Sequence, residues 1–346
     1  MKVRSLTSVR DDKKIVRHYT RCVFVALAAL ILVFGGNPRS VPAETAKVKI
    51  ALPDFSISFL SAKVAQLQDL FQAEGVEAEL IRISNPVAMI ALMNKEIDYA
   101  LSTGSVLASA VRGLPLKVVM YSLRTPFHAL MVKPGIKSFA DLKGKVFGVA
   151  TGTTDAILRA MMVHGKLTEK DVKILLISES SSRLNALATG RIDGAILPPP
   201  FSVQAEKLGL RRLIGAAEVP EILDGRIAFP PPAGVGVHQD KLQNQPQQIK
   251  QIVRAMLKAH DFVRNRKNDA IKLISDWLKV DASIAAGSYD AYAGSLSAEG
   301  FVPDGVMEAV IEQQSQLLKI SERPPLTKVV DFRIVRETAD ELHRGR

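Results

Sequence analysis

The sequence contains a single cysteine, Cys22, in 346 residues. Cys22 sits in an N-terminal stretch that reads as a removable leader. The remaining chain therefore has no thiol, which excludes a disulfide framework, a cysteine zinc site and a thiol nucleophile. Aromatic residues make up only 5%, too few for the stacking platforms that hold single-stranded nucleic acid. Three enzyme signatures are also missing: the phosphate loop G-x-x-x-x-G-K-[ST], the zinc motif H-E-x-x-H and the nucleophile elbow G-x-S-x-G. Gly234-Val235-Gly236 is a lone G-x-G and reads as strand packing. Outside the leader the histidines are His128, His164, His238, His260 and His343. They lack ligand spacing, so no metal, no cofactor and no catalytic residue is expected.

The net charge of +11 points to a nucleic-acid partner less than it first suggests. Residues 1–43 carry 8 of the 46 Lys/Arg and 2 of the 35 Asp/Glu, which leaves +5 for the rest. That stretch is basic up to Arg21 and continues as the uncharged run CVFVALAALILVF. Gly35-Gly36 breaks the run, and Val41-Pro42-Ala43 supplies the small residues of a cleavage site. The apolar run is shorter than the roughly 20 residues of a membrane span. The expectation is an exported protein, cleaved after Ala43, with a periplasmic location and no nucleic-acid partner.

What the chain does contain is a repeat. ALMNKEIDYAL (91–101) and ALATGRIDGAI (186–196) share Ala-Leu-x-x-x-x-Ile-Asp-x-Ala-[Leu/Ile]. Each copy is preceded by an apolar strand, an amphipathic helix and a second strand, and ends in a helix and a strand. Two β-α-β-α-β units with apolar strands imply two α/β lobes built on mostly parallel sheets. The aspartates of the repeat, Asp98 and Asp193, are expected to bond backbone. Three helices are expected near the C-terminus: 246–265, a segment capped by Asn268 and carrying Ile271, Ile274, Trp277 and Leu278, and 303–320. The charged tail from Ser321 is expected to be only partly packed.

Ligands of open parallel sheets lie beyond the carboxyl ends of the strands. Those loops are Asp54-Phe55-Ser56-Ile57-Ser58, Ser102-Thr103-Gly104-Ser105, Thr151-Gly152-Thr153-Thr154 and Pro198-Pro199-Pro200-Phe201. The 151–154 turn joins a β-branched strand to a helix N-terminus, where free N–H groups and the helix dipole favour polar or anionic groups. The candidate ligand-binding residues are Asp54, Phe55, Ser56, Ser58, Thr103, Gly104, Ser105, Thr151, Gly152, Thr153, Thr154 and Pro199. If the hydroxyls of Thr153 and Thr154 face ligand, replacing both by alanine should weaken binding and leave the unliganded melting point nearly unchanged.

KVKIALPD, FLSAKVAQLQDLFQAEGVEAEL, ALMNKEIDYAL, SFADLKGKVFGVATGT and NQPQQIKQIVRAMLKAHDFVRNRKNDAIKLI, taken in that order, resemble an ABC-importer solute-binding protein. The type is the nitrate/sulfonate/taurine group, which shares its fold with thiamine-pyrimidine synthesis proteins. The resemblance covers about residues 46–320. It implies a type II periplasmic-binding-protein fold with a hinge, lobe 1 being 44–125 plus 226–346 and lobe 2 being 126–225. It further implies a monomer that closes on a small-molecule solute (a sulfonate, carboxylate or pyrimidine-like compound) and then docks on an ABC permease in the membrane. The alternatives are a biosynthetic enzyme on the same fold, with His128 as the best-placed catalytic candidate, and a receptor serving a membrane sensor.

Overall fold

The computed structural model describes residues 46–215, 218 and 229–344. The expected leader and its expected cleavage after Ala43 lie outside the described residues.

Among the described residues, ten strands form two five-stranded sheets with matching order. The first holds β1 (Ala46–Leu52), β2 (Val76–Arg82), β3 (Tyr99–Ala100), β4 (Leu116–Tyr121) and β10 (Gly234–His238), in the order β2-β1-β3-β10-β4. The second holds β5 (Ala129–Val132), β6 (Val146–Val149), β7 (Lys173–Leu176), β8 (Gly194–Leu197) and β9 (Arg211–Gly215), in the order β7-β6-β8-β5-β9. In each sheet the fourth position is the antiparallel strand: β10 against β3 and β4, and β5 against β8 and β9. Each of these two strands begins just after the chain has crossed from one lobe to the other. The sheets are thus mixed, with one reversed strand among four parallel ones.

Period-two alternation loads both faces of the second sheet. Leu130 and Val132 join a core with Phe147, Ile157 and Met161, while Ala129 and Met131 face a second core with Leu184 and Leu187. The larger core of the first lobe draws on β1, β4 and β10 and on the helix Pro246–Asn265, whose Ile249, Ile252, Val253 and Met256 are buried as their spacing predicts.

The repeat aspartates perform the same task in each lobe. Asp98 Oδ2 accepts from the amide of Lys49 at 2.9 Å, and Asp193 Oδ2 accepts from the amide of Val146 at 2.9 Å. The other oxygen of each takes a lysine at 2.7 Å, Lys241 for Asp98 and Lys133 for Asp193. The carboxylates therefore pin the neighbouring parallel strand.

Three expectations are corrected. Asn268 does not cap a helix; it lies inside Lys267–Leu278, whose N-cap is Arg266. A helix at Ala282–Ser295 went unforeseen because its Ala, Gly and Ser residues show no apolar stripe. Asp281 caps it by accepting from the Ile284 amide at 2.9 Å, and Tyr289 and Tyr292 anchor it. The tail is packed: Arg333–Arg344 is helical with Val335 and Ala339 buried, and Phe332 meets Tyr121 edge-on at 5.8 Å.

Candidate functional site

The carboxyl ends of both sheets face one another, and helices start there from each lobe. Thr103–Val111 follows β3 and Thr153–His164 follows β6. Their first turns abut directly. A methyl at Gly104 would lie 2.7 Å from the Thr153 amide nitrogen, and one at Gly152 would lie 2.6 Å from the Gly104 carbonyl carbon. Gly152 also has φ +90°, a conformation that favours glycine. Only glycines permit this approach, so the two turns form the closed back wall of the cleft.

The hydroxyls in that wall are already engaged. Thr103 Oγ1 donates to Pro231 O at 2.9 Å and Thr153 Oγ1 to Pro230 O at 3.2 Å. Both fasten the proline-rich crossover. Thr154 Oγ1 accepts from the Ala150 amide at 2.7 Å and donates to Ala150 O at 2.9 Å, closing the strand-to-helix turn on itself. Ser105 Oγ donates to Thr151 O at 3.0 Å, lobe to lobe. Alanine at Thr153 and Thr154 therefore removes structural bonds, and the expectation of an unchanged unliganded melting point does not stand.

In front of the wall lies a cavity of about 50 Å³. Asp54, Ser56, Ser58, Gly104, Ser105, Thr151, Thr153 and Thr154 line it. Thr103 is fully buried behind it. Phe55 turns outward, 45% exposed, with its ring edge-on to Trp277 at 6.1 Å. Pro199 lines a neighbouring groove, while Pro198 borders the cavity itself.

Three further residues give the cavity its character: Asn85, His128 and Arg183, all at most 4% exposed. Asn85 opens the helix after β2, and Arg183 lies in the helix Ser180–Ala188 after β7. The strand-end rule would have led to the loops after β2 and β7 had it been applied to every strand. Arg183, one turn inside its helix, carries no loop signal at all.

Four of the five N–H donors of the Arg183 guanidinium are engaged by the chain. Nε donates to Ile196 O at 3.1 Å, Nη1 to Ile177 O at 2.7 Å and Ser178 O at 2.9 Å, and Nη2 to Ser180 Oγ at 2.9 Å. Burial lowers its pKa to about 10, opposed by the negative charge of Asp54. Asp54 Oδ2 crosses between lobes to accept from the Ser180 amide at 2.8 Å, at the positive end of that helix. Burial, with the Arg183 charge added, pushes His128 down to about 3, so its imidazole is neutral at physiological pH. His128 Nδ1 and Asn85 Oδ1 are buried and without a partner among the described residues. A carboxylate, a balancing guanidinium, a neutral imidazole and an orphan amide oxygen make a charge-balanced pocket with free hydrogen-bonding valences.

The arrangement can be set beside known proteins. The NMT1/THI5-like family model matches residues 57–270. A Haemophilus influenzae protein named for thiamine biosynthesis is 32% identical over 163 residues, 46% of this chain and 51% of that protein. The chain thus spans about half the length of that relative. The alkanesulfonate-binding protein SsuA from Xanthomonas axonopodis pv. citri, solved with MOPS, has a TM-score of 0.69 at 17% identity, covering 84% of this chain and 99% of that one. The desulfurization enzyme DSZB has a TM-score of 0.59 at 15% identity, covering 87% and 100%. These structures share the periplasmic-binding-protein fold, on which both receptors and an enzyme are built. The family match extends over more than half of the sequence, and the chain belongs to the NMT1/THI5-like family.

Proposed function

We propose that this protein is an extracytoplasmic, periplasmic solute-binding receptor of an ABC importer. Its lobes, 44–125 plus 226–346 and 126–225, close as a monomer on one small polar solute and present the closed form to a membrane permease. The observation that carries this is the cavity between the lobes, in which Asn85 Oδ1 and His128 Nδ1 await partners while Asp54 bridges to Ser180. Buried polar atoms are nearly always satisfied, and a bound solute would supply what the chain does not. The leader, the family and the likeness to SsuA support the same assignment.

The charge balance narrows the solute. Four of the five Arg183 donors are committed to the chain, and Asp54 and Asn85 add acceptors. The pocket suits a neutral or zwitterionic head carrying N–H donors, pyrimidine-like among the candidates, better than nitrate or a sulfonate. Catalysis finds little support in His128. An imidazole whose conjugate acid titrates near 3 is a weak base at neutral pH.

The test is a thermal-shift and calorimetric panel of aminopyrimidines, amino acids, small carboxylates, sulfonates and nitrate on protein beginning at Glu44. A true ligand at about 100 times its Kd stabilises by roughly 2.7 kcal/mol. Unchanged ligand after prolonged incubation is expected. Turnover of any binder, or tightest binding of a sulfonate with no effect from Asp54→Asn, would refute the assignment.

A further inference from the structure

We infer that the solute has two parts: a compact polar head seated in the buried cavity, and an apolar tail that leaves past His128 into a lateral groove between the lobes. This rests on the receptor assignment above. The groove is about 430 Å³, against about 50 Å³ for the cavity. At roughly 10–15 Å³ of such volume per water molecule, the cavity holds little more than a few waters or one polar group. Anything larger must extend beyond it.

His128 is the shared wall, lining both spaces. It is 4% exposed, its Nδ1 has no partner among the described residues, and its ring lies 5.5 Å from that of Phe127, nearly parallel. Phe127, Pro199 and Val203 supply apolar surface to the groove, and Glu206, Arg212 and Asp290 line it as well. The helix Ala282–Ser295 forms the floor through Gly287, Ala291 and Gly294, spaced to share one helix face. A methyl built on Gly287 or on Gly294 meets nothing within 4 Å. Glycine in a helix interior is unfavourable relative to alanine, and no close approach within the chain requires it at either place. The glycines keep the groove empty beside an unsatisfied imidazole, which is the arrangement a passing ligand needs.

Three matched probe pairs test this by calorimetry on the full chain after the leader: 4-aminopyrimidine and its 5-butyl derivative, acetamide and hexanamide, methanesulfonate and pentanesulfonate. For a head that binds, the tailed member should bind at least tenfold tighter. Gly287→Leu with Gly294→Leu should abolish that gain and leave the short member's Kd within twofold. Gly287→Ala with Gly294→Ala should retain the gain. If the double leucine variant fails to fold, Ala291→Leu replaces it with the same outcomes. A tail that adds nothing in the wild type, or a gain that survives leucine, overturns the two-part solute and leaves the receptor assignment intact. Binding of no probe of either length overturns both.

Discussion

Asp54 Oδ2 lies 2.8 Å from the Ser180 amide nitrogen, joining the turn after β1 to the first residue of the helix after β7 across the cleft. In the proposed receptor this contact would tie closure to the charge of one buried side chain, which also balances Arg183. In Asp54→Ala the amide loses its acceptor and the guanidinium its counter-charge. Such losses destabilise by about 1–3 kcal/mol for the orphaned donor and more for the buried charge. The ligand-free protein should expand measurably in small-angle scattering and melt lower. An unchanged radius would show that the bridge does not hold the lobes together.

Gly104→Ala tests the back wall separately. The added methyl would sit 2.7 Å from the Thr153 amide nitrogen, a backbone atom that cannot swing aside. The lobes must part slightly to admit it. Weaker ligand binding is expected, with far-ultraviolet circular dichroism unchanged because each lobe keeps its own core.

Thr153→Val and Thr154→Val should lower the unliganded melting point, each by loss of hydroxyl bonds within the chain. A typical loss of this kind is about 1 kcal/mol. Thr154, which bonds both the amide and the carbonyl of Ala150, should be the more sensitive. Equal melting points for wild type and Thr154→Val would remove its role as the turn's fastening.

Acid should destabilise the fold through two imidazoles. His128 and His260 are buried and pushed down from 6.5 to about 3, each mainly by burial. The unfolded chain therefore takes up protons that the native state refuses. Their contribution to stability is complete above pH 6.5 and is lost progressively as pH falls from there toward 3. At pH 5 the loss is about 2 kcal/mol for each. Urea midpoints at pH 7 and pH 5 measure the total, and His260→Leu should remove about half of the difference.

The two lobes were legible in the sequence because Ile-Asp-x-Ala marks the same junction twice, and the aspartates bond backbone and lysine in the same way. Hydroxyl-rich turns at strand ends located the cleft, since that placement follows from topology. What the Thr103 and Thr153 hydroxyls bond depends on the crossover prolines 231 and 230, distant in sequence, so their role in holding the chain could not be read from the local turns. Arg183 was illegible because nothing in SSSRLNALA distinguishes a buried guanidinium from a solvated one. The helix Ala282–Ser295 was hidden for the opposite reason: its small residues have no periodicity to detect, and its position is set by two tyrosines and a cap.

The paired braces at Asp98 and Asp193 bear on how the molecule would move. Each sheet is pinned between two of its inner strands, where β3 and β8 begin and away from the cleft, by its own carboxylate and its own lysine. In the proposed receptor, bending would then fall at the two crossovers, and each lobe would turn as a stiff plate. A slight rotation at the cleft would be carried to the outer rims, so the permease proposed above could sense occupancy by touching both rims without contacting the solute.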